Sequence, residues 1–335
     1  MRTSGKGTLL SLAVALGLLL SAALLYREAA ARQRAEPSRQ RSERVQTLAL
    51  PTREPASSLP PSPAPEPEET PEVLVTVLET QPREEIRETT ISSEQLLKNG
   101  TGYEPDLSAL LEAGPGLRLP AEGPQILIVH THGSEAYTPA GLDRYDASDA
   151  DRTQDPRYSV IRVGDELAER LEEQGLRVLH DREVYDYPSY TGSYSRSGEA
   201  VQRYLEQYPG IAVVIDLHRD ALGADGVVYK TMAEEEGSVA SQIMLLVGTD
   251  ESGLEHPNWQ RNLSLALYLQ QAAASAHPTL MRPVSLVPQR YNQQLSPGSL
   301  LLEVGSSGNT LQEALAAIRL FADAVGPALL ALTES

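Results

Sequence analysis

From about residue 124 the chain alternates two kinds of hydrophobic pattern. Short, continuous apolar runs bounded by Gly, Pro or charged residues read as buried strands, and longer stretches with apolar positions three and four apart read as helices. Ile126-Leu127-Ile128-Val129 predicts a strand over 125–130. Val160, Val163, Leu167 and Leu171 lie on one face of a helix over 158–174, with Gly175 as its stop. Strands follow at 176–180, 211–217, 227–233, 241–248, 284–288 and 299–304, with helices near 196–207, 258–275 and 310–325, the last ended or kinked by Pro327. Such alternation predicts an α/β domain with a mainly parallel sheet flanked by helices on both faces. Before it, Val73-Leu74-Val75-Thr76-Val77-Leu78 reads as a strand and Ser92 to Asn99 as a short helix.

The N-terminal pattern is different. Residues 8–26 carry no charge and follow Arg2 and Lys6. At ~1.5 Å per residue a helix of this length nearly spans a hydrocarbon core of ~30 Å, which predicts an uncleaved transmembrane anchor. A cleaved signal peptide is the alternative, since Ala22-Ala23 and Ala29-Ala30-Ala31 offer small residues. Arginines at 27, 32, 34, 39, 41 and 44 would place the following chain inside by the charge rule. The short N-terminal tail and signal-like layout favour export of the large domain to the extracytoplasmic side. Residues 35–72, rich in Pro, Glu, Ser and Arg, lack the apolar area to fold and read as an extended spacer. The expected organisation is a tail and anchor over 1–27, a disordered spacer over 28–94 and a catalytic domain over 95–335.

The chain has no cysteine, which removes disulfides, thiolate metal sites and cysteine nucleophiles. Any metal must be held by His, Asp or Glu. The net charge of −18 is uneven: residues 101–335 hold 16 Lys/Arg against 33 Asp/Glu. An acidic domain is repelled by phosphate backbones, which argues against nucleic acid as the main partner. No phosphate-loop or Gly-x-Ser-x-Gly sequence is present.

The candidate chemistry sits at strand ends, where α/β proteins build their sites. The first strand runs into His130-Thr131-His132-Gly133-Ser134-Glu135, and Ile211–Ile215 runs into Asp216-Leu217-His218-Arg219-Asp220. If the backbone turns after the strand, His132 and Glu135, three apart, share a face and can meet one ion. With His218 they form a donor set for a zinc ion with a position left open for water. Glu303 ends the run Leu300-Leu301-Leu302 before a glycine-rich turn and is placed to act as general base and acid. His130 reads as a ligand, a supporting hydrogen bonder or a general acid. Arg219 reads as an oxyanion stabiliser or as a structural partner of Asp216 or Asp220. Arg290 and Asn292 are expected to line the cleft, Asn309 to cap the last helix, and His180, His256 and His277 to be incidental.

The runs Ile-Val-His-Thr-His-Gly-Ser-Glu-Ala-Tyr, Val-Gly-Asp-Glu-Leu-Ala-Glu-Arg-Leu, Ile-Asp-Leu-His-Arg-Asp and Leu-Leu-Glu-Val-Gly-Ser-x-x-Asn-Thr resemble, in order, those of the stage II sporulation protein P family over roughly residues 95–330. The layout of membrane segment, spacer and C-terminal domain resembles it too. The resemblance implies a relation to zinc-dependent N-acetylmuramoyl-L-alanine amidases, and cleavage of the muramoyl–L-alanine amide, and also of peptide cross-links, during engulfment of the forespore. It implies stage II sporulation proteins D, a lytic transglycosylase, and M, a membrane scaffold, as partners. By position it makes His132 and His218 zinc ligands and Glu303 the catalytic glutamate. The amidase pattern has its ligand glutamate further along, near the next helix, where Ser159-Val160-Ile161-Arg162 offers none and Glu166 lies inside the helix. Glu135 is therefore the third ligand expected here. Two other readings share parts of these features: a metal hydrolase of small acyl-amino acids, and a wall-binding or scaffold protein without catalysis.

Overall fold

The apolar runs are the strands of one large sheet. The computed structural model describes residues 83–141, 144–146, 151–235 and 237–334. In chain order the elements are β1 (Arg83–Thr89), β2 (Leu97–Asn99), α1 (Leu107–Ala113), β3 (Ile126–Val129), β4 (Arg144–Asp146), α2 (Val160–Glu173), β5 (Val178–His180), α3 (Ser193–Gln207), β6 (Val213–Asp220), β7 (Gly223–Ala224), β8 (Val227–Glu235), β9 (Ser238–Ser241), β10 (Ile243–Gly248), α4 (Trp259–Ala276), β11 (Val284–Val287), β12 (Ser299–Ser306) and α5 (Leu311–Leu330). The expected membrane segment 8–26, the spacer stretch 35–72 and the strand at 73–78 lie outside the described residues. Among the described residues no helix is long and apolar enough to cross a membrane.

Seven strands form the main sheet in the order β2-β11-β10-β12-β6-β3-β5. Every neighbouring pair is parallel except β10 with β12. Alternation along each strand sorts the side chains between two faces. Ile126, Ile128, Val213, Ile215, Leu217, Leu300, Leu302 and Val304 face the larger core with α2, α4 and α5. Leu127, Val129 and Val214 face the other side, where α3 covers them through Ala200 and Val201. Further along that second face Met244, Leu246 and Leu301 meet only the partly buried Val287 and Tyr291. The expected α/β class with helices on both faces is therefore found, but the cover is lopsided, and the thinly covered part of the second face carries the polar strand ends.

A smaller sheet has the order β4-β1-β8-β7, with β9 also on β8. Its strand β1 lies within the stretch expected as spacer, and runs parallel to β8 from Glu85 opposite Val227 to Thr89 opposite Thr231. Arg-Glu-Glu-Ile-Arg-Glu-Thr holds a single apolar residue, so no hydrophobic period marks it as a strand; backbone pairing makes it one. The short helix expected at Ser92–Asn99 is corrected: Leu97–Asn99 is an edge strand beside β11. Pro327 does not end the last helix, which continues to Leu330. Its ring faces solvent while Val325 and Leu329 stay packed in the core on either side of it.

The start of α5 is set by Thr310, whose hydroxyl accepts from Glu313 N while the Glu313 carboxylate accepts from Thr310 N, a reciprocal cap. Asn309, expected as the cap, instead ties β8 to the β12–α5 turn: its amide oxygen accepts from Thr231 N and Ser306 N, both at 3.0 Å.

Candidate functional site

The chain turns sharply after β3, with Glu135 N donating to His132 O at 3.0 Å. The segment beyond is fastened to the β12–α5 turn by Tyr137 Oη to Val304 O at 3.0 Å and by Thr138 N to Asn309 O at 2.9 Å. These bonds bring Glu135 across to β6, where its carboxylate oxygen lies 3.3 Å from His218 Nδ1 and accepts from Arg219 N at 3.2 Å. The rings of His132 and His218 meet edge to face, 5.3 Å between centroids. Glu303 is the Cα partner of His218 in the β6–β12 ladder and shares its face of the sheet. His132, Glu135, His218 and Glu303 are thus brought together. The other two candidates, His130 and Arg219, are turned to different partners, and the alternation of strand faces is the reason.

His130 follows the parity of Ile126 and Ile128 and enters the opposite core. Its Nδ1 meets Leu217 O and its Nε2 meets His180 Nε2, both at 2.8 Å. His180 Nδ1 in turn lies 3.1 Å from Asp165. Burial first, then the neighbouring His180, push the His130 pKa down to about 3, so it stays neutral. His180 is therefore a structural partner of His130, where the sequence made it incidental. Arg219 is one residue off the parity of His218. Its guanidinium donates to Ala136 O, Asp151 O, the Asp151 carboxylate and Asp220 O, which makes it a clamp on the 136–151 connection.

Asp216 underlies the site. It accepts from Thr131 N at 2.8 Å and Thr131 Oγ1 at 2.6 Å, and its other approach is to His218 Nε2 at 2.9 Å. Burial disfavours the charged His218, but Asp216 and Glu135 on its two sides outweigh that and hold its pKa well above the usual range. Burial likewise opposes ionised Glu135, yet the His218 hydrogen bond and charge prevail and lower its pKa. His132 differs: burial and then the nearby His218 charge lower its pKa to about 4. Glu303, partly buried, is pushed up to about 8, chiefly by lost solvation.

Several neighbours were not legible in the sequence, and Asp186, Arg152 and Tyr190 among them sit on connections without periodicity. Asp186 accepts from Ser134 Oγ at 2.5 Å and from Arg152 Nη1 at 2.7 Å, and its Oδ2 stands 3.9 Å from His132 Nδ1. Tyr190 stacks on His132 at 4.5 Å, and the Arg152 guanidinium lies 4.9 Å from the Tyr190 ring centroid. Tyr194 of α3 meets His132 edge-on at 5.5 Å and Tyr291 at 5.6 Å.

A zinc ion suits this donor set on two observations. Among the described residues His132 Nδ1 and Glu303 Oε2 are buried without a hydrogen-bond partner, and His218, with Nε2 on Asp216, turns Nδ1 to Glu135. The only donors present are imidazoles and carboxylates, the ligands of zinc in a chain without cysteine. In the geometry described, no three His, Asp or Glu groups among the described residues converge to hold an ion.

A family model for stage II sporulation protein P matches residues 52–326. The chain belongs to this family. The stage II sporulation protein P of Bacillus subtilis (strain 168) is 26% identical over 209 residues, 59% of this chain and 49% of that relative. The chain thus spans about half the length of the curated relative it matches. Among solved structures, N-acetylmuramoyl-L-alanine amidase AmiC2 of Nostoc punctiforme is similar at 15% identity and a TM-score of 0.37, covering 63% of this chain and 98% of that one. The N-acetylmuramoyl-L-alanine amidase from Clostridium difficile 630 is similar at 13% identity and a TM-score of 0.36, covering 63% and 97%. Likenesses of this size carry neither activity nor ligand to a stage II sporulation protein P family member.

Proposed function

We propose that this chain is a metal-dependent peptidoglycan hydrolase: an N-acetylmuramoyl-L-alanine amidase that also cuts peptide cross-links and acts in forespore engulfment. The observation that carries the reading is the gathering of His132, Glu135 and His218 beside a partly buried Glu303 on the thinly covered face of a mainly parallel sheet. Family membership supports the sporulation setting.

His132, Glu135 and His218 would hold zinc, which supplies polarisation of the scissile carbonyl and activation of water. Asp216 orients the His218 ring, as the outer partner of a metal-bound imidazole does. Tyr190 fixes the plane of His132 by stacking. Glu303, whose pKa of about 8 lies near neutrality, suits both steps of proton transfer: it takes the proton of the attacking water and gives it to the leaving amine. Residues 8–26 anchor the chain with its catalytic domain, taken as 95–335 and extended to β1, on the extracytoplasmic side. The stretch from 28 gives it reach into the wall, alongside stage II sporulation proteins D and M.

The test is mass spectrometry of products released from purified peptidoglycan by the full chain, with zinc and with chelator. Chelator-sensitive release of free stem peptides is the expected result. Intact peptidoglycan in both arms, with binding retained, would replace the enzyme by a wall-binding protein.

A further inference from the structure

Beside the site, beyond Tyr194 and Tyr291, a groove of about 590 Å³ opens between the start of α3 and the loops at 252–254 and 289–295. Clefts for small ligands run to ~300–1,000 Å³, so its size suits a ligand of several residues. Its polar lining is almost all neutral, from Gln202, Ser252, Gln289, Asn292 and Gln294; Arg290 is its single charged side chain.

The loop is firmly shaped. Tyr291 and Asn292 both have positive φ, 48° and 60°, a backbone state that costs free energy in residues other than glycine. Asn292 Nδ2 donates to Tyr194 O at 2.7 Å and to Ser197 Oγ at 3.2 Å, fixing the loop to α3. Gly198 permits that approach, since a Cβ there would come within 3.1 Å of the Asn292 side chain. Gly248 N donates to Gln293 Oε1 at 2.8 Å and holds the loop to the end of β10. Among the described residues Arg290 makes one bond, from Nη1 to Glu255 O at 3.0 Å, and no ion pair. Arg290 lines the groove.

We propose that this groove binds the peptide on the leaving-group side of the scissile amide, and that Arg290 selects a stem peptide with a free carboxylate. The inference rests on the peptidoglycan-hydrolase reading. In a chain of net charge −18, a lone unpaired guanidinium in a concave, neutral, hydrogen-bonding groove matches a ligand of amides and one anionic group. The glycan strand is a poorer match, because uncharged sugars make no use of a cation. Tyr194 and Tyr291, which contact each other and border both the site and the groove, join the two.

The experiment is calorimetric titration of the full chain with L-alanyl-γ-D-glutamyl-L-lysine and with its fully amidated form. A charge-assisted hydrogen bond predicts about tenfold tighter binding of the free acid to the wild type, and loss of that preference in Arg290→Gln. No preference in the wild type, or the same preference in Arg290→Gln, would overturn the proposal. Digestion of peptidoglycan, run in parallel, separates the two ideas. Hydrolysis without acid preference removes the Arg290 role alone, and acid preference without hydrolysis removes the enzyme reading while the groove's specificity stands.

Discussion

Glu303 lies directly opposite His218 in the β6–β12 ladder, and both point to the face that α3 leaves open. Two different strands thus deliver a base and an imidazole to one place, each by the same rule of a polar residue ending an apolar run. If Glu303 moves the proton, Glu303→Gln retains the shape and the metal donors but loses the base. Hydrolysis of peptidoglycan should fall by roughly 10²–10⁴-fold while bound zinc is unchanged. Product release and metal content measured on the same preparation check this, and normal turnover would remove Glu303 from the mechanism.

Gly164 of α2 sits against the His130–His180 pair. A Cβ there would come 2.6 Å from His130 Nε2 and 2.7 Å from His180 Nε2, and both rings are held by hydrogen bonds. Gly164→Ala should therefore destabilise the fold by about 1–3 kcal/mol despite the better helix propensity of alanine. Thermal unfolding measures it; an unchanged or higher melting temperature would show that the pair yields easily.

Arg219 is buried and clamps Ala136 O and Asp151 from the face opposite His218. Arg219→Gln should lower the melting temperature while the folded protein still hydrolyses peptidoglycan. Full stability with lost turnover would return this arginine to the chemistry.

These cases show where sequence reading succeeds. The meeting of His132, His218 and Glu303 in one place is legible because each lies where an apolar run gives way to polar residues at a strand end. Turning after β3 brings Glu135 to the same place, as its spacing from His132 anticipates. For His130 and Arg219 the sequence leaves alternatives open, because proximity in sequence to a site residue says nothing about which side of the sheet is faced; Leu217 and Arg219 share one parity, Asp216 and His218 the other. Asp186, Arg152 and Tyr190 come from connections whose course depends on tertiary bonds. Strand β1 is hidden because its polar sequence carries no periodic signal, and Pro327 misleads because packing of Val325 and Leu329 overrides its local preference.

His256, 1% exposed, has both ring nitrogens buried without a partner among the described residues. Burial first, with Arg290 adding to it against Asp250, pushes its pKa from 6.5 down to about 4. The unfolded chain takes up this proton near 6.5 and the folded chain only near 4. Its contribution is therefore fully present above 6.5 and is lost as pH falls through that window, on the order of 2 kcal/mol. Denaturant titrations from pH 7 to 4 should show the fall, and His256→Phe should flatten it; equal slopes in the two proteins would contradict the buried neutral state.

The most direct measurement is the zinc content of the purified full chain and of His132→Ala and His218→Ala, each dialysed against limiting zinc. The account predicts about one equivalent in the wild type and loss of tight binding in both variants, with folding retained by circular dichroism. Zinc bound equally well by folded variants, or a wild type that binds none, would contradict it.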